Sequence, residues 1–191
     1  MIGGDLAILP SSSSVPVISV TVLAVPALPN DRVVSRDGAA PGDVLAVTGR
    51  LGGSLETDGG GRHLDFPPRI NEAIELATIL GDGLSAMLDV SDGVGSDARQ
   101  LIASARRDVR IAIDASAVPT NAGRSWKQAL SDGEDYELLF TASKPPPEMV
   151  CGVPITVIGY VAEALDQTPP VVAIDSGMEI DVESFGWEHR S

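Results

Sequence analysis

Apolar side chains recur at Val94, Ala98, Leu101, Ile102 and Ala105, a spacing that lays one stripe along a helix. A short apolar run, Ala86-Met87-Leu88, precedes it, and Asp89-Val90-Ser91-Asp92-Gly93 stands between the two. The stretch predicts a buried strand, a tight turn, and a helix whose first turn carries Ser91, Asp92 and Asp97. A second helix is predicted over 69–80, with Ile70, Ala73, Ile74, Ala77 and Leu80 on one face and Gly81 and Gly83 closing it. Runs rich in Val, Ile and Leu predict strands at 17–25, 44–48, 109–113, 136–140, 154–160 and 171–174, with a further short one at 32–36. A short helix is predicted over 124–130. The glycine-rich, polar stretch 52–62 predicts a flexible loop at a domain boundary.

The turn at 89–93 brings two pieces of chemistry together. Free N–H groups at a helix start attract phosphate oxygens, and carboxylates at a strand end attract hard divalent cations. Such a corner suits a metal-bound polyphosphate. A plainer reading stands beside it, because Ser and Asp are ordinary N-caps and first-turn acids suit the helix dipole without any ligand. Asp89 resists that reading: it falls where an apolar strand buries its end, and a buried carboxylate without a partner is costly. Glu134 and Asp135, in a glycine turn, read as solvated turn acids or as ligands. His63 reads as a structural hydrogen-bonder, Cys151 as a small packed hydrophobe, and His189 as uninformative.

Charge narrows the partners. The 191 residues carry 13 basic and 27 acidic side chains, a formal net charge of −14, which repels a nucleic-acid duplex or an anionic membrane. Lys127 and Lys144 are the only lysines, and no GxxxxGK[ST] pattern occurs, so a P-loop kinase is excluded. Polyphosphate can still bind if metal ions bridge it to carboxylates. One cysteine excludes an internal disulfide and gives no zinc spacing. Without a basic leader or an apolar run long enough to span a bilayer, the chain reads as cytoplasmic.

Several motifs then fall in a fixed order: GGD at 3–5, SVTVL at 19–23, SRDGAAPGDVLAVTG at 35–49, RHL and PRI within 62–70, LDVSDG at 88–93, GEDYELLFT at 133–141, VIGYV near Val157 and FGWEH at the end. In that order and spacing the chain resembles the thiamine-monophosphate kinases, relatives of aminoimidazole ribonucleotide synthetase. The resemblance implies an α+β chain: strands of a partial N-terminal domain (1–50), then a C-terminal α/β domain (51–191) with a mixed sheet flanked by helices. It implies transfer of the γ-phosphoryl of ATP to thiamine monophosphate, giving thiamine diphosphate, with several Mg²⁺ ions held by aspartates. Matched position by position, Gly4, Asp5, Arg36 and Ser91 fall at ATP. Asp5, Asp89 and Asp92 fall at Mg²⁺, and Glu134 and Trp187 at thiamine. It also implies a homodimer whose interface lies largely in N-terminal strands that this chain lacks, together with the family's Gly-Asp-Asp segment. Leu6 stands where Thr commonly follows GGD, and Asp132 replaces a glycine before GED. The expectations from different classes are the kinase or its C-terminal part, a non-catalytic remnant that binds nucleotide or thiamine, and a sibling acting on another small molecule.

Overall fold

The computed structural model describes residues 32–56, 58–105, 108–164, 168–182, 185 and 186, with Thr21, Leu23, Val25, Pro26 and Leu28. Two units divide between Val33 and Val34. The second, Val34–Ser191, carries every helix and strand among the described residues.

That unit is built on a sheet of eight strands: β1 (Val44–Thr48), β2 (Leu84–Asp89), β3 (Val109–Asp114), β4 (Leu138–Ala142), β5 (Met149–Val150), β6 (Val153–Glu163), β7 (Val171–Asp175) and β8 (Met178–Asp181). Their order is β2-β4-β1-β6-β3-β7-β8, with β5 paired to β6. All pairs run antiparallel except β3 and β7, which makes the sheet mixed, as expected. Alternation along β1 sends Leu45 and Val47 into the main core cluster.

Three helices complete it: α1 (Ile70–Leu80), α2 (Val94–Ser104) and α3 (Trp126–Ser131). The stripe read from sequence on α2 is the buried one. Val94, Ala98 and Leu101 are wholly enclosed, and Ile102 and Ala105 pack at the margin. Full burial of a side chain like Leu101 contributes about 1.5–3 kcal/mol. α3 starts two residues later than expected because Ser125 and Gln128 form a capping box, each side chain satisfying the other's backbone N–H.

Three expectations are corrected. The buried face of α1 is Glu72, Leu76, Ala77 and Leu80, while Ile70 is 64% exposed and Ile74 37%. An ion pair turns the helix: Arg69, just before it, grips Glu137 and lies 3.7 Å from Glu72. The strand expected at 136–140 begins instead at Leu138, because Glu134 and Tyr136 adopt positive φ values of 61° and 52°. Segment 32–36 forms no strand, although Ser35 O accepts from Met87 N at 3.1 Å and so borders β2. The stretch 52–62 lies within the second unit. Strand 8 was not expected, and most of the strand expected at 17–25 falls outside the described residues.

Candidate active site

The corner at the end of β2 takes its shape from one buried carboxylate. Asp97, 1% exposed, turns back from the first turns of α2 and accepts from the backbone N–H groups of Ser91 and Asp92, both at 3.1 Å. The sequence pattern leaves those donors free for phosphate, but Asp97 occupies them. The carbonyls of Val182 and Phe185 close over Gly95, where a Cβ would lie 2.8 and 2.5 Å from them, so backbone oxygens cover the helix start. Burial, together with the charges of Asp92 and Asp89, pushes the Asp97 carboxyl up to about 7, against the opposing bonds from Asp92 and Ser91 N–H. Asp97 is thus the costly buried acid that sequence assigned to Asp89. Asp89 itself is exposed, because β2 ends at the rim, and Ser91 and Asp92 are half-buried.

Arg36 reaches the same corner indirectly. Its Nη1 donates to Gln100 Oε1 at 2.7 Å, and Gln100 Nε2 donates to Asp97 Oδ1 at 3.4 Å. Asp89, Asp92 and Arg36 therefore gather around Asp97, through charge and through a hydrogen-bonded relay.

The GED segment is laid against this corner by its backbone. Glu134 N donates to Ser91 O, Tyr136 N to Val90 O, and Val90 N to Glu137 O, each at 2.8 Å. Gly133 must be glycine, since a Cβ there would stand 2.6 Å from Ser91 O. The two positive-φ residues divide the acids into two sets. Strain of this kind costs roughly 1–3 kcal/mol per residue and concentrates where function demands it.

One set faces the body. Asp135, 5% exposed, accepts from Gly52 N at 2.8 Å, from the Ser54 hydroxyl and from Arg62 Nη2 at 3.1 Å. Burial raises its pKa, opposed by Ser54, Gly52 and Arg62. It is not a solvated turn acid: it and Asp132, which accepts from Gly53 N at 2.9 Å, pin the 52–62 loop. Glu137, 3% exposed, takes a bidentate grip from Arg69 at 2.8 and 2.7 Å and a bond from Thr48 Oγ1 at 2.6 Å. The Glu137 bond and charge raise the Arg69 pKa despite partial burial.

The other set is Glu134 and Tyr136. Glu134 Oε2 lies 3.6 Å from His63 Nε2 and has no hydrogen-bond partner among the described residues. His63 Nδ1 sits 3.0 Å from Ser54 O, a carbonyl that can only accept, so Nδ1 carries the hydrogen and Nε2 is the atom turned to Glu134. The Tyr136 ring stacks on Phe66 with centroids 4.1 Å apart and an interplanar angle of 22°. A cleft of about 70 Å³ lies beside them, lined by Arg62, Phe66, Arg69 and Tyr136 among others. A larger hollow, about 630 Å³, lies apart from these residues, against β6, β7 and the turn after β3.

The structure thus gathers Arg36, Asp89, Ser91, Asp92 and Glu134. Gly4, Asp5, Trp187 and His189 lie outside the described residues. Sequence reading missed Asp135, Glu137, Arg62 and Arg69 as one network. Its only signal was two acids spaced by two residues before a strand, opposite two arginines, which is weak. Cys151 is exposed rather than packed; its thiol donates to Glu75 at 2.8 Å, and that bond pushes its pKa up to about 11. No helix among the described residues is long and apolar enough to cross a membrane.

No family model matches the chain. Its fold, a mixed sheet flanked by helices, is shared with the hydrogenase maturation protein HypE of E. coli, at a TM-score of 0.56 over 80% of this chain and 52% of that one, with 20% identity. A structure of AaThiL complexed with AMPPCP and TMP is more similar in sequence, at 27% identity and a TM-score of 0.59 over 84% of this chain and 55% of that one. The chain is homologous to thiamine-monophosphate kinases: that of Rhodopirellula baltica is 34% identical over 171 residues, 83% of this chain and 50% of the relative. The chain spans about half the length of that curated relative.

Proposed function

We propose that this chain contributes the acidic side of a phosphotransfer site that passes the γ-phosphoryl of ATP to thiamine monophosphate, yielding thiamine diphosphate. The observation that carries the reading is the backbone ladder between Val90-Ser91 and Glu134–Glu137, which sets Asp89 and Asp92 beside Glu134 and Tyr136. Similarity to thiamine-monophosphate kinases supports it independently.

Among the described residues no group of three His, Cys, Asp or Glu could hold a metal ion. Magnesium is commonly held by one or two carboxylates, with water and substrate phosphate completing its shell. Asp89 and Asp92 fit that role: they are reachable, and their charges are strong enough to press on Asp97. They do not fit a cage assembled before nucleotide arrives. A magnesium ion held there would neutralise the phosphates as they approach.

The remaining parts follow from chemistry. The bond from the γ-phosphorus to the bridging oxygen breaks, and one forms to an oxygen of the acceptor phosphate; ADP leaves with the bridging oxygen. That acceptor oxygen is already an anion, so no general base is required, and none is assigned. Arg36 and Ser91, through its hydroxyl, serve the nucleotide. Glu134 serves the cationic thiamine, and the resemblance assigns Trp187 to thiamine and Gly4 and Asp5 to nucleotide. A two-domain division near 50, and a homodimer as in the resembled family, belong to the same reading.

The test is thiamine diphosphate formation by the purified chain from ATP and thiamine monophosphate, with and without Mg²⁺, alongside calorimetric binding of each ligand. Magnesium-dependent product supports the full reading. Binding of both ligands without product restricts the chain to a binding role, and binding of neither overturns the reading.

A further inference from the structure

We propose that Gln100 is a positioning residue for the nucleotide: its side-chain amide ties the Arg36 guanidinium to the Asp97-capped corner while leaving the arginine's charge uncancelled for phosphate. The inference rests on the phosphotransfer reading above and names a residue to which that reading gives no part.

The backbone brings Arg36 there first. Ser35 O accepts from Met87 N at 3.1 Å, and a Cβ at Gly38 would collide with Ser85 O, so segment 35–38 lies against β2. β2 stands at one end of the sheet order, and the chain leaves it through 90–93 into α2. A long side chain starting from that edge can cross to the helix. Arg36 Nη1 does so, donating to Gln100 Oε1 at 2.7 Å. Gln100 follows Asp97 by three residues, one helical turn on the same face, and its Nε2 donates to Asp97 Oδ1 at 3.4 Å.

Donor and acceptor types give the amide one orientation. A guanidinium can only donate, so Gln100 must turn its carbonyl oxygen to Arg36, and its NH₂ is left for Asp97. A charged side chain would fail at one end. Glutamate would set a second carboxylate against Asp97, and lysine a second cation against Arg36. The neutral amide serves both.

That neutrality has a consequence for charge. Arg62, Arg69 and Arg110 each meet a carboxylate: Asp135, Glu137 and Glu179. Arg36 is exposed, and among the described residues it forms no ion pair and bonds only to this amide. A guanidinium with its charge uncancelled and N–H groups to spare suits phosphate oxygens. Through Asp97 the same amide is joined to the backbone N–H groups of Ser91 and Asp92, so the guanidinium and the acidic turn keep one spacing. A nucleotide that is to meet both Arg36 and a magnesium ion at Asp89 and Asp92 depends on that spacing.

The experiment is calorimetry of the full chain with two probes, ATP in the presence of Mg²⁺ and thiamine monophosphate. It compares the unaltered protein with Gln100→Met, Arg36→Met and the double variant. Gln100→Met should weaken ATP about fivefold, the scale of a lost hydrogen bond, and leave thiamine monophosphate within about twofold. Arg36→Met should weaken ATP at least as far. Adding Gln100→Met to it should bring no more than about a twofold further loss, because the amide acts through the guanidinium. Gln100→Glu keeps an acceptor for Arg36 but cancels its charge, and it should also weaken ATP. Unchanged ATP affinity in Gln100→Met or Gln100→Glu, an equal loss for both probes, or a Gln100→Met loss that persists in full without Arg36 would overturn the inference. If the unaltered chain binds neither probe, the phosphotransfer reading itself falls. If it binds ATP and Arg36→Met binds it equally well, only the positioning role falls.

Discussion

Two acidic regions meet at this site, and they handle negative charge in opposite ways. In the segment after Gly133, Asp135 and Glu137 are buried and paired, one with Arg62 and the other with Arg69. At the end of β2, Asp89, Asp92 and Asp97 crowd together with no cation paired to them among the described residues, and the result is an Asp97 carboxyl pushed up to about 7. The paired region holds structure: it fastens the 52–62 loop and turns α1. The unpaired region keeps uncompensated charge at a rim, which is what a site for a cation needs. Proximity of acids alone does not distinguish the two; a guanidinium paired directly with the carboxylate does, and among the described residues the first region has two and the second none.

The largest effect should come from breaking the paired side. Arg69→Met leaves Glu137 charged and enclosed, and removal of one partner from a buried pair costs about 3–5 kcal/mol. Urea unfolding should show that loss, and adding Glu137→Gln should restore much of it; an Arg69→Met chain as stable as the original would show that the pairing does not matter. On the unpaired side the expected change lies in binding. Asp89→Asn or Asp92→Asn should weaken Mg²⁺-dependent ATP binding by roughly 1–3 kcal/mol while leaving unfolding unchanged or slightly harder, because a repulsive charge is removed. Calorimetry with and without Mg²⁺ reads this, and unaltered affinity in both variants would remove the ligand role.

A smaller effect tests the exposed member of the paired side. Arg62 is half in water, so Arg62→Ala should cost no more than about 1 kcal/mol, a surface-scale interaction despite its buried partner Asp135. A loss as large as that for Arg69→Met would place the two pairs in one class. The smallest effect is a pH dependence. Because the folded pKa of Asp135 lies above its ordinary value, its contribution to stability is full below about pH 4 and fades as pH rises through the folded pKa. Urea midpoints between pH 3.5 and 6.5 should show that component in the unaltered chain, and Asp135→Asn should lack it.

Much of the frame was legible along the chain. The spacing of Val94, Ala98 and Leu101 predicted α2 and its buried face, and the run at 86–88 ending in a turn predicted β2 and the corner beyond it. Those features depend on neighbours within one or two turns, where periodicity decides burial. The resembled motifs also named Arg36, Asp89, Ser91, Asp92 and Glu134, residues that the fold brings around one corner.

What tertiary structure alone decided is which acids are buried and which remain free. The sequence pattern encloses Asp89, which is exposed, and leaves Asp135 open to being a solvated turn acid, which is enclosed. The apolar pattern of α1 pointed to Ile70 and Ile74, yet Arg69 turned the helix toward Glu137, 68 residues away in sequence. Thr48 reaches the same carboxylate from 89 residues away. A carboxylate has no preferred side of its own: it is cheap in water and cheap beside a guanidinium, and the choice is made by whichever distant strand or loop delivers a partner. Local spacing determined the helices and strands of this chain, and long-range pairing determined which of its charges would remain available for chemistry.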